Sequence, residues 1–338
     1  MCFAAIASCA LASQIAVYGQ VSGSQVVKPK SGGVQILRVQ DPMKPELSHI
    51  YMISSDGANI AVETYPEGVL LVDSGSGKMV SDVQAAIRSV AKSPKIHYII
   101  DTSADPDHVG GNMGLAKTGN QYVGGNVAGA IRDAGEGAEI ISHQTVQDRM
   151  SGVTAGSKAL PEGMWPTTTY ETPILKLTTK YHGDAVELLH EPAAHSDGDT
   201  VVWFRLGDVL VTGEIFSTEN YPVIDIEKGG SINGEIKALN DLLDVAFAYF
   251  RMEDGTMIIP ARGRISDSTD LAYYRDMVTI IRDRVQFMIE KGKTLPEIKA
   301  AKLTADYDPD YAVNSIGYTP DMFIEAIYKS LTATRKDK

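Results

Sequence analysis

The sequence has almost no cysteine: its only two, Cys2 and Cys9, both fall within the first nine positions. Downstream of that segment no disulfide, thiol nucleophile or cysteine-ligated zinc can form. Basic residues are also scarce, with 31 Lys and Arg against 43 Asp and Glu, a net charge of −12 and a pI near 5.1. Phosphate backbones and anionic membrane surfaces select basic faces, so this balance argues against nucleic acid and against docking on such membranes. Beyond the N-terminal leader no apolar run reaches the roughly 18 residues that a spanning helix needs, and no membrane span is expected. Low-complexity tracts and short-period repeats are absent too.

The leader is informative. Met1 to Val17 is almost entirely apolar or small, with no charge before Lys28. Residues 1–19 read as a signal peptide, cleaved after Gly19, so the protein is expected to be exported, periplasmic or secreted. Ile6-Ala7-Ser8-Cys9 is weakly similar to a lipoprotein box, which would make Cys9 a lipid anchor. Residues 20–33, rich in Ser, Gly, Val and Lys, read as a flexible lead-in. Residues 34–338 are expected to form one domain, with a C-terminal helical extension from about residue 267. Hydrophobic residues at 43% and charged residues at 22% are ordinary for a globular chain able to bury a large core.

Strand patterns begin at Val34–Val39 and continue at His49–Ile53 and Asn59–Glu63. Val69-Leu70-Leu71-Val72 and Ile96-His97-Tyr98-Ile99-Ile100 are continuous apolar runs, predicting strands covered on both faces. Val83, Ile87 and Val90 recur at helical spacing between them. A second half repeats the order, with strands at 174–178, 186–190, 200–206, 209–212 and 257–260. Helices are predicted over about 234–249, 268–291, 294–301 and 320–332. Two halves, each strands then helix, predict two sheets packed face to face with helices outside. The fold class is therefore α/β, an αββα sandwich.

The chemistry concentrates where a buried strand ends at Asp101. The following loop, Ser103-Ala104-Asp105-Pro106-Asp107-His108-Val109-Gly110-Gly111, is dense in carboxylates and closed by a histidine and two glycines. It resembles the His-x-His-x-Asp-His-x-Gly-Gly loop of the metallo-β-lactamase superfamily. Leu70-Leu71-Val72-Asp73-Ser74-Gly75 is similar to the strand and turn before that loop, and Ala194-His195-Ser196-Asp197-Gly198-Asp199 to the second metal-histidine segment. Val211-Thr212-Gly213-Glu214 stands where the bridging aspartate falls, and Pro260-Ala261-Arg262-Gly263 where a Gly-His-Gly turn supplies the last histidine.

The resemblance implies a first metal set at Ser103, Asp105 and His195, a second at Asp107, His108 and Arg262, and a bridge at Glu214. Ser103 and Arg262 are not ordinary zinc ligands, since a guanidinium has no lone pair to give. What remains implies one divalent metal, zinc or else manganese or iron, held among Asp105, Asp107, His108, His195 and Glu214. Arg262 would take the place and charge of the lost second ion by pairing with Asp107 or Glu214. Ser103 and Asp73 would line the site, Asp73 by ordering the strand-end turns. With one metal, the implied activity is hydrolysis of a small ester, lactone, amide or phosphoester by a metal-activated water, with Asp107 or Asp105, whichever does not ligate, taking the proton and Arg262 steadying negative charge. The alternatives are a metal-free, non-catalytic binding protein of the same fold and an iron-dependent redox protein. His97 and His143 read as structural, His182 and His190 as residues flanking the strand before His195, and Trp165 and Tyr170 as either pocket mouth or packing.

Overall fold

The computed structural model describes residues 25–27, 34–39, 49–54, 57–120, 137–177, 185–246, 256–312 and 316–336. The expected signal peptide, Cys9 and His182 lie outside them.

Eight strands form the first sheet in chain order: β1 (Gln25–Val27), β2 (Gln35–Arg38), β3 (Ile50–Ser54), β4 (Ile60–Thr64), β5 (Val69–Val72), β6 (Ile96–Ile100), β7 (Glu139–His143) and β8 (Thr168–Tyr170). Pairing is antiparallel from β1 to β5 and parallel from β5 to β8. The change of direction follows from the connections: β5 and β6 are joined through helix α1 (Val80–Val90), the crossover that parallel strands require. Every residue of β5 and β6 is buried, as expected for parallel strands covered on both faces. The second sheet runs β13 (Met257–Ile259), β12 (Val209–Val211), β11 (Asp199–Phe204), β10 (Val186–Glu191), β9 (Ile174–Lys176). It too is mixed, since only β12 and β13 are parallel.

Three apolar layers hold this arrangement together. Leu70, Val72, Tyr98 and Ile100 of the first sheet meet Leu188, Val202, Phe204 and Val211 of the second, which is the inter-sheet core. Val83, Ala86 and Ile87 of α1 seal the outer face of the first sheet against Val62, Leu71 and Ile99. The outer face of the second sheet is covered by α5 (Ile232–Ala246), α6 (Ser268–Glu290) and α9 (Pro320–Lys336). In α6 the buried Leu271, Tyr274, Val278, Ile281 and Val285 recur every three or four residues, one apolar stripe on a helix. Its start is fixed by Asp267, whose side chain accepts from the Thr269 and Asp270 amides. The result is the αββα sandwich.

Local expectations give way in two places. Gln25–Val27, within the expected flexible lead-in, adds β1 to the sheet by pairing with β2. The stretch that carries Trp165 and Tyr170 follows α4 (Gln144–Met150) and contains β8, two elements that the sequence pattern did not predict. Tyr170 is buried there and its hydroxyl bonds that of Thr200, while Trp165 donates to the Leu160 carbonyl. Packing, not a pocket mouth, is their role.

Candidate functional site

Four loop regions at the strand ends deliver the site. After β5, Asp73 turns into the left-handed region, φ 63°. Asp tolerates that conformation better than most residues, at a cost of about 1–2 kcal/mol. Its carboxylate accepts from the Thr102 amide (2.8 Å) and hydroxyl, tying the β5 turn to the β6 turn. The loop after β6 folds into two short helices, α2 (Pro106–Val109) and α3 (Asn112–Ala116). Gly111 lies against the β5 turn so closely that a Cβ would sit 2.2 Å from the Ser74 carbonyl oxygen. Here glycine is a steric requirement. Gly213, at φ 53°, packs on Thr102 in the same way and presents Glu214. Arg262 follows β13, in a turn held by Asn59, which donates to the Pro260 and Gly263 carbonyls, and by the Thr218 amide, which bonds the Arg262 carbonyl.

These side chains form two linked rows of charge. In the first, His108 Nδ1 meets Asp73 Oδ2 at 2.7 Å and Nε2 meets Glu214 Oε1 at 2.6 Å. Glu214 then accepts from Arg262 Nη1 on both oxygens, at 2.7 and 2.8 Å, and Arg262 Nη2 reaches Asp107 Oδ2 at 2.5 Å. In the second row His195 Nδ1 bonds the Val223 carbonyl and Nε2 meets Asp105 Oδ2, both at 2.7 Å. Asp105 Oδ1 accepts from Lys228 Nζ at 2.6 Å, and Lys228 also touches Asp225 at 3.1 Å.

The two rings are donors at both ends. A carboxylate or a carbonyl only accepts, so His108 and His195 must each carry two N–H groups and hence a positive charge. Burial opposes this in both, yet the neighbouring acids win. For His108, the charge of Asp73 and the bonds to Asp73 and Glu214 push the pKa well above the usual histidine value. For His195, the bond to Asp105, with the charges of Asp199, Asp105 and Glu214, raises it to about 10. Burial likewise works against ionised Asp105 and Glu214. His195 and Lys228 nonetheless hold Asp105, and His108 and Arg262 hold Glu214, far below the ordinary carboxylate range.

The five expected ligands therefore separate. Ligand atoms of Asp107, His108 and Glu214 lie within 4.8 Å of one another, a candidate metal triad. Asp105 and His195 are engaged with each other and with Lys228. Ser103 is buried, and its hydroxyl accepts from the Asp105 amide at 3.2 Å. As arranged, the triad does not fit an ion. The Arg262 guanidinium already bonds two of its three members, and doubly protonated His108 has no lone pair to offer. Coordination would require Arg262 to withdraw and His108 to lose a proton.

Sequence reasoning missed Lys228. It comes from the Asp225–Gly230 turn, which matches no motif; the one local signal was Gly229-Gly230, where a Cβ on Gly230 would fall 2.1 Å from the His195 carbonyl oxygen. Glu235 was also missed. It is fully buried on α5, and neither carboxyl oxygen has a hydrogen-bond partner among the described residues. His190 stacks on His143, ring centroids 3.6 Å apart, and donates to the Asp197 carbonyl beside the His195 loop. His97 accepts from or donates to the Tyr65 hydroxyl at 2.8 Å, in the body of the sheet.

Beside Arg262 opens a cavity of about 390 Å³, walled by Leu37, Met52, Ser54, Asn59 and Ile316 among others. A second, of about 460 Å³, is walled by Phe216, Glu219, Tyr273 and Tyr311 and touches none of the paired groups.

No curated protein matches the sequence. Among solved structures, a stereoselective inverting sec-alkylsulfatase, Pisa1 from Pseudomonas sp., superposes with a TM-score of 0.58 at 16% identity, over 83% of this chain and 48% of that one. A double mutant described as the sec-alkyl sulfatase PisA1 gives 0.61 at 15% identity, over 87% and 49%. This chain thus spans about half the length of those proteins. A metallo-beta-lactamase from Pontibacter korlensis matches at 14% identity over 76% of this chain and 99% of its own, TM-score 0.49. The sequence pattern of the metallo-beta-lactamase superfamily matches residues 56–259, more than half of the chain, and the protein belongs to that superfamily.

Proposed function

We propose that this protein is a metal-independent, non-hydrolytic member of a superfamily whose members are generally metal-dependent hydrolases, and that it binds a small molecule in the cavity beside Arg262. The observation that carries the reading is the seat of the guanidinium. With Arg262 Nη1 on both oxygens of Glu214 and Nη2 on Asp107, the charge that would polarise a water or a carbonyl is spent on fixed ion pairs. Polar Ser54 and Asn59 and apolar Leu37, Met52 and Ile316 on the cavity wall suit a compact organic ligand.

The test is a panel of ester, lactone, amide, phosphoester and β-lactam substrates, assayed with chelator and with added zinc, manganese or iron. No turnover above background under any condition is expected. A thermal-shift screen of small organic molecules should meanwhile find binders that Ser54→Trp, which fills the cavity, no longer recognises. A second reading, a single-metal hydrolase of such substrates using Asp107, His108 and Glu214, is favoured by the 4.8 Å clustering of their ligand atoms. Chelator-sensitive turnover would establish it in place of the first. We also propose export, on the apolar leader at residues 1–19; fractionation of the expressed chain tests it, and a cytoplasmic, unprocessed product refutes it.

A further inference from the structure

We infer that Arg262 and Lys228 are built-in replacements for both metal ions, one cationic side chain for each metal set, so that the centre is locked in a self-sufficient state. The inference deepens the metal-independent reading and does not depend on which ligand the cavity takes. Each half of the site has its own tethered cation. The half made of Asp107, His108 and Glu214 is bridged by Arg262, and the half made of Asp105 and His195 is closed by Lys228. Lys228 stands at none of the seven positions that the superfamily uses for ligands. A lysine brought in from elsewhere to Asp105, the carboxylate at a ligand position that Arg262 does not touch, is the expected signature of replacing a second charge.

Both side chains are delivered, not incidental. The backbone carbonyl of Lys228 accepts from the Asp197 amide (2.9 Å) and from Arg149 Nη2 (2.8 Å), while its own amide bonds Asp225. Gly230 then passes against the His195 backbone with no room for a side chain. Arg262 is equally held, by Asn59 and Thr218. Its side chain is 9% exposed and that of Glu214 5%. Deleting one partner of a pair buried to this degree leaves an uncompensated charge, unlike loss of a surface salt bridge. A fixed guanidinium also matches carboxylates in a planar fork, so it supplies the geometry as well as the charge that an ion would have imposed.

The experiment is zinc titration with two readouts, bound metal per chain and melting temperature, on wild type, Arg262→His, Arg262→Ala and Lys228→Met. Wild type should bind no zinc saturably and show no shift. Arg262→His removes the cation and completes a ligand set of Asp107, His108, Glu214 and the new imidazole. It should take up about one equivalent and gain roughly 5 °C at a hundredfold excess over Kd. Arg262→Ala without metal should melt roughly 5–10 °C lower; Lys228→Met, whose side chain is 33% exposed, should lose less. Saturable zinc binding by wild type would overturn the inference, as would Arg262→His and Arg262→Ala that match wild type in stability and ignore zinc. Should Arg262→Ala fail to fold, the wild-type and Lys228→Met titrations decide alone. Metal-independent turnover would defeat the binding reading and leave this inference standing; zinc uptake by wild type defeats it whatever the turnover.

Discussion

Glu235 offers a sharp test of how the helical layer tolerates the charge behind the site. It lies on α5 with no exposure, and neither carboxyl oxygen is hydrogen-bonded among the described residues. Burial, reinforced by the charges of Asp199, Glu214 and Glu191 and only partly offset by His195, pushes its pKa well above the ordinary glutamate value. The shift favours the neutral acid in the folded protein, where neither oxygen has a hydrogen-bond partner among the described residues. A buried polar group in that condition costs about 1–3 kcal/mol. Methionine has a similar unbranched shape and no such group, so Glu235→Met should stabilise the protein by roughly that amount. The sign with pH is fixed by the direction of the shift. The unfolded chain releases the proton near pH 4.5 and the folded chain only much higher. Wild-type stability is thus fully present below about pH 4.5 and declines as pH rises towards the folded value. Glu235→Gln, which keeps shape and cannot titrate, should abolish that slope. Chemical denaturation of the three proteins from pH 4.5 to 8 measures both effects. A Glu235→Met protein less stable than wild type, or a gap that does not widen with pH, would refute the reasoning.

Glu214 spans from His108 Nε2 to Arg262 Nη1, which it accepts on both oxygens, so Glu214→Ala should cost about 3–5 kcal/mol in denaturant unfolding by stranding two buried cations; a loss under 1 kcal/mol contradicts the pairing. Asp73→Asn keeps an acceptor for the Thr102 amide and suits positive φ, yet removes the charge beside His108. It should destabilise by about 1–3 kcal/mol, and the His108 ring should titrate at lower pH by NMR. His143 behaves oppositely: burial and the neighbouring His190 lower its pKa to about 4. Its folded form resists a proton that the unfolded chain accepts near pH 6.5, so stability falls as pH drops through that window. His143→Phe should flatten the acid limb of a stability profile, and an unchanged limb counts against the assignment.

How much of this the sequence disclosed depends on where each signal resides. β5 and β6 were legible because strands buried on both faces are continuous apolar runs, and α6 because its stripe, Leu271 to Val285, persists over about four turns. β1 and β8 were not, since Gln25–Val27 lies in a stretch rich in Ser, Gly and Lys and Thr168–Tyr170 is polar, so each owes its strand state to the strand it pairs with. The 101–112 loop was legible as a site because its carboxylates and histidine are contiguous. Lys228 escaped because a lone lysine in a turn looks like any solvated charge until the fold brings the Asp225–Gly230 turn under His195. Sequence positions also cannot say which acid pairs with which base. The separation of Asp105 and His195 from the triad is a matter of side-chain geometry.

The paired network has a consequence for how such a centre can change. Asp73, Asp105, Asp107 and Glu214 sit on loops whose backbones are fixed by the sandwich itself, through the Thr102 amide, the close approach of Gly111 to Ser74 and the anchored turn after β13. Those carboxylates need positive charge whether or not chemistry is done, because an uncompensated buried anion costs several kcal/mol. An ion supplies it only when available and at a pH that keeps its ligands deprotonated. A tethered arginine or lysine supplies it always, at a price of about 2 kcal/mol of side-chain freedom each. The guanidinium also differs from the ion in what it leaves over. A metal keeps an open position for water, whereas Arg262 presents its Nη groups to Glu214 and Asp107 and leaves Nε buried without a partner among the described residues. On the proposed reading, the substitution that supplies this charge without a metal also removes the open coordination position on which hydrolysis by this fold would rest.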